Sequence, residues 1–243
     1  MTILDVPAAM FAVCAGIVFI GALVQGTLGI GLGLVSAPVL ALVDPAFIPV
    51  AILVAILPLT VSMSVRERAR IDGRGVGFAI VGRVPGAALG TAAVVVTGTR
   101  FLAVLVSISV LAAVAASIST LRFATTGRSL VVAGAVSGFM GTATGIGGPP
   151  MAITYQHADP AVMRSTVSVF FTIGSLISLV MLAVAGAIGQ RQLLLGTALI
   201  PAVIAGFVLS GPITRRLDAE RIRILVLTVC AMSAIALLVR ELA

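Results

Sequence analysis

The sequence predicts an all-α polytopic membrane protein: two inverted repeats of about five hydrophobic segments each, including one short broken helix per repeat. Three observations carry this. Of 243 residues, 60% are hydrophobic and 9% charged, where a soluble domain averages about 25% charged. Most of the chain falls into apolar runs near the length that crosses a bilayer. Glycine, proline and arginine landmarks then recur at one fixed, ungapped offset of 116 residues.

Taken in order, the apolar runs are 8–25, 33–43, 47–65, 76–97, 101–121, 129–142, 148–157, 164–188, 192–210 and 222–239. A spanning helix needs about 20 apolar residues. Eight runs approach that; 33–43 and 148–157 are too short to cross alone. Asp5 precedes the first run, with no Lys or Arg. That lacks the basic start of a secretory signal peptide, so the run is read as a mature first helix. Cys14 and Cys230 lie inside apolar runs with no CxxC spacing, which fits small buried residues rather than disulfide or metal chemistry.

The repeat is legible in particular residues. Gly29-Ile30-Gly31 falls on Gly145-Ile146-Gly147, Ser62 on Ser178, Gly73 on Gly189, Pro85 on Pro201, Gly90 on Gly206 and Arg100 on Arg216. The halves are 1–121 and 129–243, joined by a short cytoplasmic linker at 122–128. With five segments per half, the second half enters the membrane from the opposite side. Charge follows. The gap 66–74 holds four Arg and its counterpart 182–190 none, whereas 97–108 holds only Arg100 and its counterpart 213–224 holds four. The positive-inside bias requires such a swap between inverted repeats. With the N-terminus outside, the inner gaps 66–74, 122–128, 157–164 and 211–223 carry eleven of the fifteen Arg. The net charge of +7 is explained by this bias. The Arg residues form no continuous basic face, so nucleic acid is not an expected partner.

Each short run follows a glycine-rich break: Gln25-Gly26-Thr27-Leu28-Gly29-Ile30-Gly31-Leu32-Gly33 and Gly138-Phe139-Met140-Gly141-Thr142-Ala143-Thr144-Gly145-Ile146-Gly147-Gly148-Pro149-Pro150. Glycine lets a backbone unwind and approach a ligand, and proline suits a helix start. A helix start offers free N–H groups and the positive end of the macrodipole, an arrangement that binds anions. Paired broken segments in two halves also point to a transporter's binding site. The expected substrate-binding residues are Gln25, Thr27, Gly29, Gly31, Gly33, Arg83, Thr142, Thr144, Gly145, Gly147, Gly148 and Pro149. Close helix packing of small residues is the competing account of the glycines.

The two signatures, Gly29-x-Gly31-x-Gly33-x4-Pro38 and Gly145-x-Gly147-Gly148-Pro149-Pro150, resemble those of the TauE/SafE sulfite exporter family, also called the toluenesulfonate uptake permease family. Leu32 stands where the family often has Gly. The resemblance implies a bacterial inner-membrane carrier for sulfite, sulfonates or related small organic anions. Alternating access is expected separately, from one repeat bundle rocking against the other around a shared site.

Arg83 is the one charge well inside an apolar run rather than at its edge, and its repeat counterpart is Leu199. Two readings stand: a guanidinium fork for an oxyanion, or a side chain snorkelling to the inner headgroups. His157 reads as a proton carrier or an idle loop residue, Tyr155 as an interface anchor or a cap on the site. There is no Lys, hence no P-loop, and no HExxH, Gly-x-Ser-Gly or pair of intramembrane carboxylates. No enzyme, cofactor or metal is expected. The expected partners are a small anionic substrate, membrane lipid, a coupling proton or sodium ion, and a second copy in a homodimer. An anion exporter needs no coupling where the cell interior is negative, while an importer does. A passive anion channel and a non-transporting scaffold are the competing functions.

Overall fold

The computed structural model describes residues 2–118, 124–214 and 219–243. A two-residue hairpin, β1 (Thr2–Ile3) and β2 (Val6–Pro7), leads into α1 (Ala8–Leu28). There follow α2 (Leu32–Val43), α3 (Val50–Arg66), α4 (Gly73–Val96), α5 (Thr99–Ile118) and α6 (Gly127–Thr144). The rest are α7 (Gly148–Thr154), α8 (Pro160–Val184), α9 (Gln190–Thr214) and α10 (Ala219–Leu242). Each helix coincides with one apolar run. Six of them, α1, α4, α5, α8, α9 and α10, are long and apolar enough to cross a membrane among the described residues. Eight runs were expected near that length. Helix α3 has only 17 residues, and the glycines, serines and threonines of α6 dilute its apolar content.

The helix ends are chemically marked. Asp72 accepts the Gly75 N–H at the start of α4, and Asp159 accepts the Ala161 N–H with Pro160 in the first turn of α8. Thr126 and Ser129 close a capping box on α6. Large apolar side chains such as Val81, Leu89, Ile108, Val180, Val208 and Met232 point outward, while Gln25, Arg83, Ser137, Thr142 and Ser178 are buried. The exterior suits hydrocarbon, and polar side chains collect inside, where they find partners.

The bundle has two polar ends. At one, Arg191 bonds Asp44 and donates to the Leu4 carbonyl, and Arg240 donates to the Leu42 carbonyl. At the other lie Arg66, Glu67, Arg70, Asp159 and Arg164, with pairs Arg164–Glu67 and Arg70–Asp159. Thus α1 begins and α2 ends at the first end. Helix α6 begins and α7 ends at the second, where the Thr125 hydroxyl donates to the Thr154 carbonyl at 2.8 Å. Both pairs are hairpins that return to the face they left. At 12 and 7 residues, α2 and α7 reach about 18 and 10 Å, short of a 30 Å hydrocarbon core.

Packing interleaves the halves. Helix α4 lies along α6 and α8, α9 lies along α1 and α3, α5 pairs with α10, and α3 meets α8. Under the 116-residue offset, α1–α9 maps onto α6–α4, α3–α9 onto α8–α4, and α2–α10 onto α7–α5, and all of these pairs are in contact. The α4–α6 seam is the tightest: Gly82, Gly86, Gly134 and Gly138 each face a backbone carbonyl that a Cβ would overlap. Small-residue packing therefore accounts for Gly138, at the edge of the second glycine cluster.

Candidate functional site

The first break ends α1 at Gly29, which adopts a left-handed conformation (φ 88°, ψ −12°), its N–H bonded to the Gln25 carbonyl at 2.8 Å. The second ends α6 at Gly145 in the same conformation (φ 77°, ψ 5°), its N–H on the Gly141 carbonyl. A residue with a Cβ is strained in this region, so glycine is what lets each helix stop and turn. The two breaks touch: Gly33, in the first turn of α2, sits against the Gly145 carbonyl with no room for a Cβ.

Between them is a cavity of about 30 Å³, above the roughly 10–15 Å³ that a cavity needs to hold one water. Of the twelve expected residues, Gln25, Gly31, Gly33, Arg83, Gly145, Gly147, Gly148 and Pro149 line it. The other four do not. Thr27 donates to its own helix at the Val24 carbonyl, and Thr144 to the Met140 carbonyl. Thr142 bonds the Ser178 hydroxyl at 2.6 Å, and Gly29 lies beside Arg164. Gly141, Phe171 and Ser175, not singled out from sequence, also line the cavity. A second cavity of about 380 Å³ adjoins it through Ile30, Gly31 and Leu34 and reaches Gln156 and Val226 near the Arg66–Arg164 end.

Arg83 enters from α4 and is 2% exposed. That removes the snorkelling reading, which needs a wet head group. Its Nη1 donates to the Ser137 carbonyl (3.2 Å) and hydroxyl (3.1 Å), and its Nη2 to the Ser178 hydroxyl (3.1 Å). Its guanidinium carbon lies 5.3 Å from the centre of the Phe170 ring. Gly141, Gly147 and Gly174 leave the space it fills. Among the described residues it pairs with no carboxylate, and its Nε has no partner. A buried charge without a counterion costs several kcal/mol, which neutral hydrogen bonds offset only in part.

Gln25 is also 2% exposed. Its Oε1 accepts the Leu32 N–H at 3.0 Å, which fixes the amide across the break. Its Nε2 has no partner. Gly33 and Leu34, in the first turn of α2, carry further N–H groups with no carbonyl one turn back. Helix α7 contributes less than expected, because Pro149 and Pro150 have no N–H. The cavity thus gathers one guanidinium, one amide and a helix start, all donors.

Residues 13–237 match the sulfite exporter TauE/SafE family. The chain belongs to that family. The match takes in both breaks, Arg83 and all ten described helices except the outer ends of α1 and α10. Comparison with curated proteins and with solved structures gave no match. TauE/SafE proteins are a membrane transporter family, and the donor-lined cavity lies at the centre of this member's bundle. The remaining singled-out residues lie elsewhere. Tyr155 is buried and donates to the Asp72 carboxylate at 2.8 Å; burial, then that carboxylate, push its hydroxyl well above the usual tyrosine range. Cys14 and Cys230 are buried and unpaired. No cluster of three metal-ligating side chains occurs among the described residues.

Proposed function

We propose that this chain is a secondary transporter that moves a small anion, sulfite, a sulfonate or a related organic anion, across the bacterial inner membrane by alternating access. The observation that carries the reading is Arg83: a buried cation with no carboxylate partner among the described residues, lining the same cavity as Gln25, whose amide Nε2 has no partner. An oxyanion supplies the missing countercharge and accepts from both groups. The Arg66–Arg164 end faces the cytoplasm, since it carries most of the described Arg residues. The left-handed glycines at 29 and 145 and the exchange of helix pairs at the same offset support inverted repeats. The rocking bodies are then interleaved: α1, α2, α3 and α9 against α4, α6, α7 and α8, meeting where α3 packs on α8.

The test is uptake of labelled sulfite and small sulfonates into proteoliposomes. Wild type is expected to give saturable, trans-stimulated flux. Arg83→Ala removes two or more charged hydrogen bonds and lowers flux roughly 100-fold. Arg83→Lys keeps the charge but not the fork, and falls between. Wild-type flux from Arg83→Ala overturns the reading, and unsaturable flux without counterflow makes the protein a channel.

A further inference from the structure

A groove of about 460 Å³ runs along the outside of the bundle between α5, α6 and α7. Val132, Val136 and Met140 of α6, Ala116 of α5 and Ile153 of α7 make it apolar. Val132 and Val136 are 63% and 44% exposed, so none of the described residues covers them. One end is polar: Arg128, Ser129 and Thr154 stand there, at the cytoplasmic end in the proposed orientation. Arg128 is exposed and forms no ion pair among the described residues. From Arg128 to Met140 the groove follows α6 for about 18 Å, close to the depth of one leaflet, about 15 Å.

We propose that this groove is a binding site for an anionic phospholipid, with one acyl chain along α6 and the phosphate on Arg128. The dimensions and polarity match part by part: an apolar trough about one leaflet deep, and at headgroup level a cation with no ion pair among the described residues. A basic residue at that level attracts acidic lipid, and a guanidinium fits phosphate oxygens. A second copy of the chain would cover the apolar part equally well but would have to bury Arg128, which costs unless an acidic partner comes with it. The site has a consequence for the central cavity. The far wall of the groove is α7, and Pro149 lines both spaces. A bound chain would pack against a seven-residue helix that has little packing on that side and hold its start against the cavity.

The experiment measures lipid retained by the purified full-length protein, by native mass spectrometry, after exchange into equal parts phosphatidylglycerol and phosphatidylcholine. Wild type is expected to prefer phosphatidylglycerol about fivefold, the effect of one basic residue near an anionic surface. Arg128→Gln brings the ratio close to one. Arg74→Gln, a control at the same end of the bundle whose guanidinium lies 5.9 Å from the Phe78 ring, leaves it unchanged. Val136→Trp fills the trough from an exposed position and releases both lipids. Retention of the fivefold ratio by Arg128→Gln overturns the proposal. So does a Val136→Trp variant that keeps its lipid, or one that splits a dimer while lipid retention stays the same, which would make a second copy the occupant.

Discussion

The two glycine-rich breaks share a backbone and differ in chemistry. Both stop a helix with a left-handed glycine, 116 positions apart, and both send the chain back toward the face it came from. The first brings its own donors: the Gln25 amide and the first turn of α2. The second starts with Gly148-Pro149-Pro150, poor in N–H groups, and instead leaves room for a cation from another helix, Arg83, beside Gly141 and Gly147. At the same 116-residue offset, Gln25 falls on Gly141 and Arg83 on Leu199. Matching folds thus frame the cavity from opposite sides while the polar groups are unevenly shared. A backbone common to both breaks fixes where the chain can bend. The polar groups at the cavity depend on the few positions where the two breaks differ.

The largest effect is expected where the breaks touch. A Cβ on Gly33 would overlap the Gly145 carbonyl, and neither backbone can yield by rotating a side chain. Gly33→Ala is expected to cost about 1–3 kcal/mol of stability and to abolish flux by forcing the breaks apart. Gly16→Ala, in α1 away from the cavity, is the paired control, because a Cβ there meets nothing within 4 Å. Thermal melting and proteoliposome uptake should separate the two variants clearly. Equal behaviour would mean that the contact between the breaks is not what shapes the cavity.

The legibility of this site follows from which signals are rare in an apolar chain. A guanidinium inside a membrane run and a cluster of glycines before proline are rare, so Arg83, Gly33, Gly145 and Gly147 could be picked out. Serine is common on packed membrane helices, so Ser137 and Ser178, the partners of Arg83, carried no comparable signal. They lie 54 and 95 residues from it; the one available hint was that Ser178 repeats Ser62. Thr27 and Thr144 stood at the right sequence depth, but each hydroxyl bonds a carbonyl of its own helix, a habit of Ser and Thr in helices. The helices themselves were legible from run length. The exchange of α4 and α9 between bundles was not, because sequence order does not say which neighbours a spanning helix joins.

Gln25 sharpens the contrast between the breaks further. Gln25→Leu removes both the acceptor for the Leu32 N–H and the free donor, and is expected to raise KM about tenfold. Gln25→Glu keeps the acceptor, so α2 still starts in place, but it puts a negative charge into the cavity that Arg83 lines. If Gln25 serves the anion, Glu is the more damaging change; if it only fixes the fold, Glu is the milder one. The order of the two KM values decides between these roles.

The smallest effect concerns how each hairpin is tied at its far end. The α6–α7 hairpin is held by the Thr125 hydroxyl on a carbonyl and by the Tyr155 hydroxyl, which stays protonated. The α1–α2 hairpin is held by a charge pair, Asp44 with Arg191. Burial alone would push the Asp44 carboxyl up, but the Arg191 hydrogen bond, the Ala46 N–H and the Arg191 charge outweigh it and hold it below the usual range. A depressed folded pKa stabilises above the unfolded value, about 3.9, and that stability is lost as pH falls through the folded value. Wild type should therefore lose melting temperature below about pH 4 in part through this pair. Asp44→Asn keeps an acceptor for the Ala46 N–H but loses the charge. It should flatten that part of the acid limb and lower neutral stability by about 1 kcal/mol or less, as expected of a partly exposed pair. An unchanged acid limb in Asp44→Asn would mean that packing, not charge, anchors α2, and that the two hairpins are tied alike.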